Sequence, residues 1–131
     1  MTIALSDAHQ VIRLEATRSF LDRGMLNARL RLYGGTRPNT PEETPNSVML
    51  AEVQLTKPCG NVTGLTLTLT PLSNALITQS GIVTWGRLVN GEETTVLDLD
   101  CSETDAGGDI QLPQTQLYAG GYAYLSAAKL S

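Results

Sequence analysis

Leu65-Thr66-Leu67-Thr68-Leu69-Thr70 alternates leucine and threonine over six consecutive positions. Side chains on a β-strand point to opposite faces in turn, so this run buries leucine on one face and wets threonine on the other. The same period of two recurs along the chain. Residues 27–33 set Ala28, Leu30 and Leu32 against Arg29, Arg31 and Tyr33, and residues 48–56 set Met49, Ala51, Val53 and Leu55 against Glu52 and Gln54. Residues 94–101 place Leu97, Leu99 and Cys101 opposite Val96, Asp98 and Asp100. Ile110 and Leu112 open a short strand, and residues 122–130 form a last one.

Turn residues punctuate these runs. Gly34-Gly35 stops the first strand, and Lys57-Pro58-Cys59-Gly60-Asn61 turns the chain after the second. Asn90-Gly91 is the strongest local signal, since both residues tolerate positive φ and so favour the type I′ turn that matches strand twist. Residues 77–90 are apolar on both faces, as a central strand covered on both sides would be. Between the first two strands lies a long segment, 36–47, containing Pro38, Pro41 and Pro45. Its prolines cannot donate to a ladder, and a connection of this length is expected to be mobile or functional.

One helix precedes the strands. Ser6 or Asp7 can cap it, and Ala8, Val11, Ile12, Ala16 and Phe20 then recur at three- and four-residue spacing, one apolar stripe about four turns long. Gly24 is placed to end it in the left-handed region. Seven or eight strands with turn signals every 8–12 residues predict a mainly β fold: an antiparallel β-sandwich, jelly-roll-like, with one N-terminal amphipathic helix. Residues 1–25 read as the helix and docking segment, and 26–131 as the sandwich domain. The stripe would be buried across an open edge or face, or against another protein.

Composition narrows the function. The 131 residues suffice for one domain with a real core, and 41% hydrophobic content favours folding. Net charge is −4, unevenly spread: residues 1–40 carry six arginines against three acids, whereas the remainder carries three bases against ten. The basic amino-terminal part is suited to docking on an acidic surface. Nucleic acid is not expected as a partner, because acids alternate with the arginines and no aromatic platform accompanies them. No run reaches the ~18–20 apolar residues of a membrane span, and Met1–Leu5 leads into a polar helix rather than a signal-peptide core. Synthesis in a cytoplasm and no membrane partner are the expectations.

The chemical inventory is sparse. His9 is the only histidine, and Cys59 and Cys101 lack metal or redox spacing. Asp98, Asp100, Glu103, Asp105 and Asp109 form an acidic cluster that could offer oxygen ligands to calcium, but the spacing fits no EF-hand and Asp98 and Asp100 read as the wet face of a strand. No catalytic residue, metal or cofactor is expected, and the chain is not expected to be an enzyme.

The order of pieces resembles a family of small virion proteins of tailed bacteriophages. The residues that carry the resemblance are Leu30-Arg31-Leu32-Tyr33-Gly34-Gly35-Thr36-Arg37-Pro38, Met49-Leu50-Ala51-Glu52-Val53 and Ser80-Gly81-Ile82-Val83-Thr84-Trp85-Gly86-Arg87. Val96-Leu97-Asp98, Gly108-Asp109-Ile110-Gln111-Leu112 and Ala119-Gly120-Gly121 complete it. The chain departs from that pattern in its arginine-rich helix and in Arg87.

The resemblance implies a capsid cement or decoration protein on the outer surface of the virion. It would bind across subunits of the major capsid protein and pair with itself as a homodimer or other homo-oligomer. The alternative is a virion protein at the head–tail junction or on a tail fibre. Contact residues expected on this basis are Arg13, Arg18, Arg23, Tyr33, Arg37, Pro38, Glu42, Glu43, Tyr122 and Tyr124; for the last two, packing on a sheet or in the core is the competing expectation. A carbohydrate-binding sandwich would need an exposed aromatic platform, and Trp85 lies in the most buried-looking strand.

Overall fold

Seven strands close into one barrel behind a single helix. The computed structural model of the chain describes residues 3–131, so the expectation for Met1–Leu5 and the 1–25 segment begins outside the described residues. Helix α1 spans Asp7–Leu21, and the strands are β1 (Arg29–Tyr33), β2 (Met49–Thr63), β3 (Thr66–Pro71), β4 (Ala75–Leu76), β5 (Gly81–Ile82), β6 (Trp85–Val89), β7 (Thr95–Glu103), β8 (Ile110–Leu112), β9 (Gln116–Leu117), β10 (Tyr122–Ala123) and β11 (Ala127–Leu130). Around the barrel the order is β1-β2-β3-β11-β8-β7-β6, with β6 returning to β1. Two further pairs, β4 with β10 and β5 with β9, stand outside it.

The expected two-sheet sandwich is therefore incorrect, although the mainly β class holds. The physical reason is that a period of two reports one buried face per strand and is identical in a sandwich and a barrel. What differs is the pairing of edges. β1 joins β6 through Arg29↔Val89 to Tyr33↔Trp85, and β11 joins β3 and β8 through only two residue pairs each. The seam between β7 and β8 is parallel, Cys101↔Ile110 to Glu103↔Leu112, where an all-antiparallel plan was expected. Neighbours in sequence cannot announce such short non-local pairings.

The inner face is as the alternation implies. Leu30, Leu32, Ala51, Val53, Leu55, Leu67, Leu69, Leu88, Leu99, Ile110 and Leu112 form the core. Three local expectations are revised. β2 does not turn at 57–61 but runs on to Thr63, its pairing jumping from Leu55↔Pro71 to Gly60↔Leu69 across a bulge, which bends a strand without ending it. The apolar stretch 77–90 is broken into β5 and β6 rather than being one strand, and 122–130 is broken into β10 and β11.

Asn90-Gly91 does not make a type I′ turn either. The Asn90 side-chain oxygen accepts from the Glu92 and Thr94 amides, and it is Glu93 that takes positive φ. Gly91 is required for another reason: a Cβ there would lie 2.0 Å from the Leu26 carbonyl oxygen, so the close approach of 24–26 to this turn admits no side chain.

Ser6 caps α1, its hydroxyl accepting from the His9 amide, as the sequence predicts. The buried face of the helix is a different one from the expected stripe. Leu14 and Leu21 enter the core, whereas Ala8, Ile12 and Ala16 are exposed and Val11 and Phe20 half-buried. The helix touches β2 and β3 on one wall and β7 on the other, so it lies across one mouth of the barrel. Arg18 fixes the end of the helix through Glu15 and Asp22, and Asp22 in turn accepts from the Cys59 amide in the β2 bulge.

Candidate functional site

The outer face of β6 is the most elaborated part of the surface, and it explains why that strand is apolar on both sides. Gly86 and Leu88 point into the barrel; Trp85 and Arg87 point out yet are buried. Trp85 stacks on Tyr33 with ring centroids 4.6 Å apart, and its indole N–H donates to the Gly34 carbonyl. The Arg87 guanidinium lies 5.5 Å from the Trp85 ring centroid, donates to both carboxylate oxygens of Asp98 at 2.7 and 3.0 Å, and donates to the Glu43 carbonyl at 2.9 Å. The loop that was expected to be mobile or functional is thus pinned over β6, with Ser47 and Thr84 hydroxyls donating to the Gly34 and Gly35 carbonyls.

Asp98 is consequently not on a wet face: its side chain is 5% exposed and that of Arg87 7%. Burial costs the pair its hydration, and the bidentate geometry returns it. Asp100 on the same strand face reaches Arg37 at 3.1 Å. The acidic cluster is therefore dispersed, and among the described residues no group of three or more His, Cys, Asp or Glu side chains could hold a metal ion.

The predicted contact residues separate into distinct environments. Tyr33 is buried in the stack with Trp85, where burial raises its phenol above the ordinary range, so it offers little area to a partner. Arg18 is held by Glu15 and Asp22, Arg23 lies 3.7 Å from Glu92, and Arg37 pairs with Asp100. Their positive charge is largely neutralised in place. Arg13 is exposed beside Gln10 and Thr17 on α1. Pro38 is half-buried and Glu42 exposed, while the Glu43 carboxylate accepts from the Asn39 amide and closes the loop on itself. Tyr122 and Tyr124 are exposed, contrary to the expectation that they pack on a sheet or in the core.

Two surface features take a form that the sequence reading did not foresee. The first is the outward side of α1. Ala8, Ile12, Ala16 and Phe20 recur every four residues on the side opposite Leu14 and Leu21, and Ile12 is 67% exposed. The stripe was legible; that the barrel would take Leu14 and Leu21 instead was not. The second is a groove of about 420 Å³ between the Pro113–Leu117 and Tyr118–Tyr124 segments, in which Tyr118 joins Tyr122 and Tyr124. Its signal was available: three of the four tyrosines fall within seven residues around one Gly-Gly turn.

No helix among the described residues is long and apolar enough to cross a membrane. In comparisons with known proteins, no family model, no curated sequence and no solved structure matches the chain.

Proposed function

We propose that this chain is a structural virion protein of the capsid cement or decoration type, docking through the outward stripe of α1 on the major capsid protein. The observation that carries the reading is the helix with two apolar sides: Leu14 and Leu21 close the barrel, and Ala8, Ile12 and Ala16 remain exposed to a partner, with Phe20 half-buried at the end of the row beside Arg23. An apolar row at four-residue spacing on an exposed helix is the geometry of helix-in-groove recognition. The strand and turn order that resembles small phage virion proteins supplies the class of partner. Repetition over a shell lets modest contacts sum, because each added copy must be broken away for neighbouring subunits to separate.

The arginines have a smaller part in this reading than their number implies, since Arg18, Arg23 and Arg37 each face a carboxylate of the same chain. Placement at the head–tail junction or a tail fibre would use the same helix at far fewer sites. The test is co-sedimentation of the purified protein with DNA-free expanded capsid shells that lack it, wild type beside Ile12→Asp. Saturable binding by wild type and its loss in the variant is the expected result. Equal binding by both rejects the helix as the anchor, and no binding by wild type rejects the capsid.

A further inference from the structure

The groove between Pro113 and Tyr124 has the chemistry of a ligand site, and it shares no residue with α1. We propose that it binds a neutral oligosaccharide, an activity separate from the docking role above. Its volume of about 420 Å³ lies within the ~300–1,000 Å³ of small-ligand sites. Tyr118, Tyr122 and Tyr124 line it and are 67%, 66% and 55% exposed. Among the described residues the one stacked aromatic pair is Tyr33 with Trp85, so no other aromatic ring is stacked on these three. An exposed tyrosine face is electron-rich and apolar, and it complements the weakly positive C–H face of a pyranose ring; the phenol hydroxyl at its edge can bond to sugar hydroxyls.

The remaining lining supports the same ligand class. Gln114 and Gln116 contribute amides, and Gln116 uses its N–H group on the Gly81 and Leu117 carbonyls, which orients its oxygen as an acceptor. A shallower groove lined by Ser47, Val48, Gln79, Ser80, Ile82 and Thr84 adjoins this one, with Gln116 in both. In a chain that is 17% charged, no residue lining either groove carries a charge. Hydroxyls, amides and aromatic faces without charge match a neutral sugar chain; an anionic one would find no cation there.

The platform is also preorganised. The Gly120 amide donates to the Ile77 carbonyl, the Ile77 amide to Gly121, the Gly121 amide to Tyr118, and the Ala119 amide to the Ser80 hydroxyl. A turn fixed in this way loses little freedom when a ligand seats on it.

Affinity electrophoresis of the full chain in native gels containing dextran, laminarin or hydroxyethylcellulose tests the proposal, with polygalacturonate as the anionic control. Expected is retardation in at least one neutral polymer, weakened roughly three- to tenfold by Tyr122→Ala or Tyr124→Ser and unchanged by Ile12→Asp. Both tyrosines are exposed, and circular dichroism verifies that the variants are folded. Retardation in none of the three neutral polymers, or in polygalacturonate alone, overturns the proposal. So does a concentration-dependent dimer, seen by sedimentation and abolished by Tyr122→Ala, without any retardation, since that assigns the groove to a second copy of the chain. Ile12→Asp reports on docking alone, so failure of either reading leaves the other standing.

Discussion

Cutting one side of the Arg87–Asp98 pair isolates a buried charge, and the structure sets the scale of the damage. Both side chains are at least nine-tenths buried, the two hydrogen bonds measure 2.7 and 3.0 Å, and Trp85 covers one face of the guanidinium. At an effective dielectric of about 20, unit charges 4 Å apart attract by about 4 kcal/mol. Breaking one side of a buried pair costs about 3–5 kcal/mol, because the survivor keeps its desolvation penalty and loses its partner. Asp98→Ala should therefore lower the unfolding free energy by about 3–5 kcal/mol, a large share of the ~5–15 kcal/mol of an ordinary domain.

Replacing both partners with apolar side chains, Arg87→Met with Asp98→Leu, should recover most of that loss. No charge is then left buried, and the Glu43 carbonyl belongs to an exposed residue that water can serve. Urea unfolding followed by Trp85 fluorescence and by far-ultraviolet circular dichroism gives both numbers. The indole signal should also change in the native baseline, since Arg87 no longer holds the 34–47 loop over it. A loss below about 1 kcal/mol for Asp98→Ala, the scale of exposed pairs, would refute the burial argument. A double variant no better than the single would show that the pair is needed for something other than its charge balance.

Four further outcomes follow from the same geometry. Leu21→Ala empties a fully buried site beneath α1 and should cost about 2–5 kcal/mol in urea unfolding, whereas Ile12→Ala should stay within about 0.5 kcal/mol of wild type. Gly91→Ala forces a Cβ against the Leu26 carbonyl and should lower the melting temperature far more than a surface substitution does; an unchanged value would mean that the 24–26 segment can move away. The Glu93 carboxylate is held below its ordinary value of 4.5 by hydrogen bonds from Arg29 and Arg31. A depressed carboxylate adds stability above its unfolded value and loses it as pH falls through the folded one. Wild type should therefore exceed Glu93→Gln above about pH 5 and converge with it in acid, when urea midpoints are compared across pH. Burial pushes the Cys59 and Cys101 thiols up to about 12, so neither should react with an aromatic disulfide reagent at pH 8 until urea unfolds the chain.

Strand content was legible because alternation is local: Leu67 and Leu69 are buried and Thr68 and Thr70 exposed, as the six-residue run implies, whereas its first leucine, Leu65, lies in the turn before β3 and is exposed. Closure was not legible, because it depends on β1 pairing with β6 and on the four-residue β11 reaching β3, partners remote in sequence, and on β8, three residues long, pairing in parallel with β7. The same limit applied to the helix. Its stripe of Ala8, Val11, Ile12, Ala16 and Phe20 was visible, but Leu14 and Leu21 belong to the buried side only because the barrel mouth faces them. Charge was misread for a related reason. An arginine count cannot tell a free cation from one already opposed by Glu15, Asp98 or Asp100. For the tyrosines, spacing marked the segment around Ala119-Gly120-Gly121, yet only the fold turns Tyr118, Tyr122 and Tyr124 into one groove.

The capsid assignment is tested most directly by counting copies of this chain in purified virions by quantitative mass spectrometry, against the major capsid protein in the same particles. A cement protein on the shell should be present on the order of hundreds of copies per particle, in fixed ratio to the capsid subunit. About six to a few dozen copies, remaining with the tails when heads and tails are separated, would contradict it.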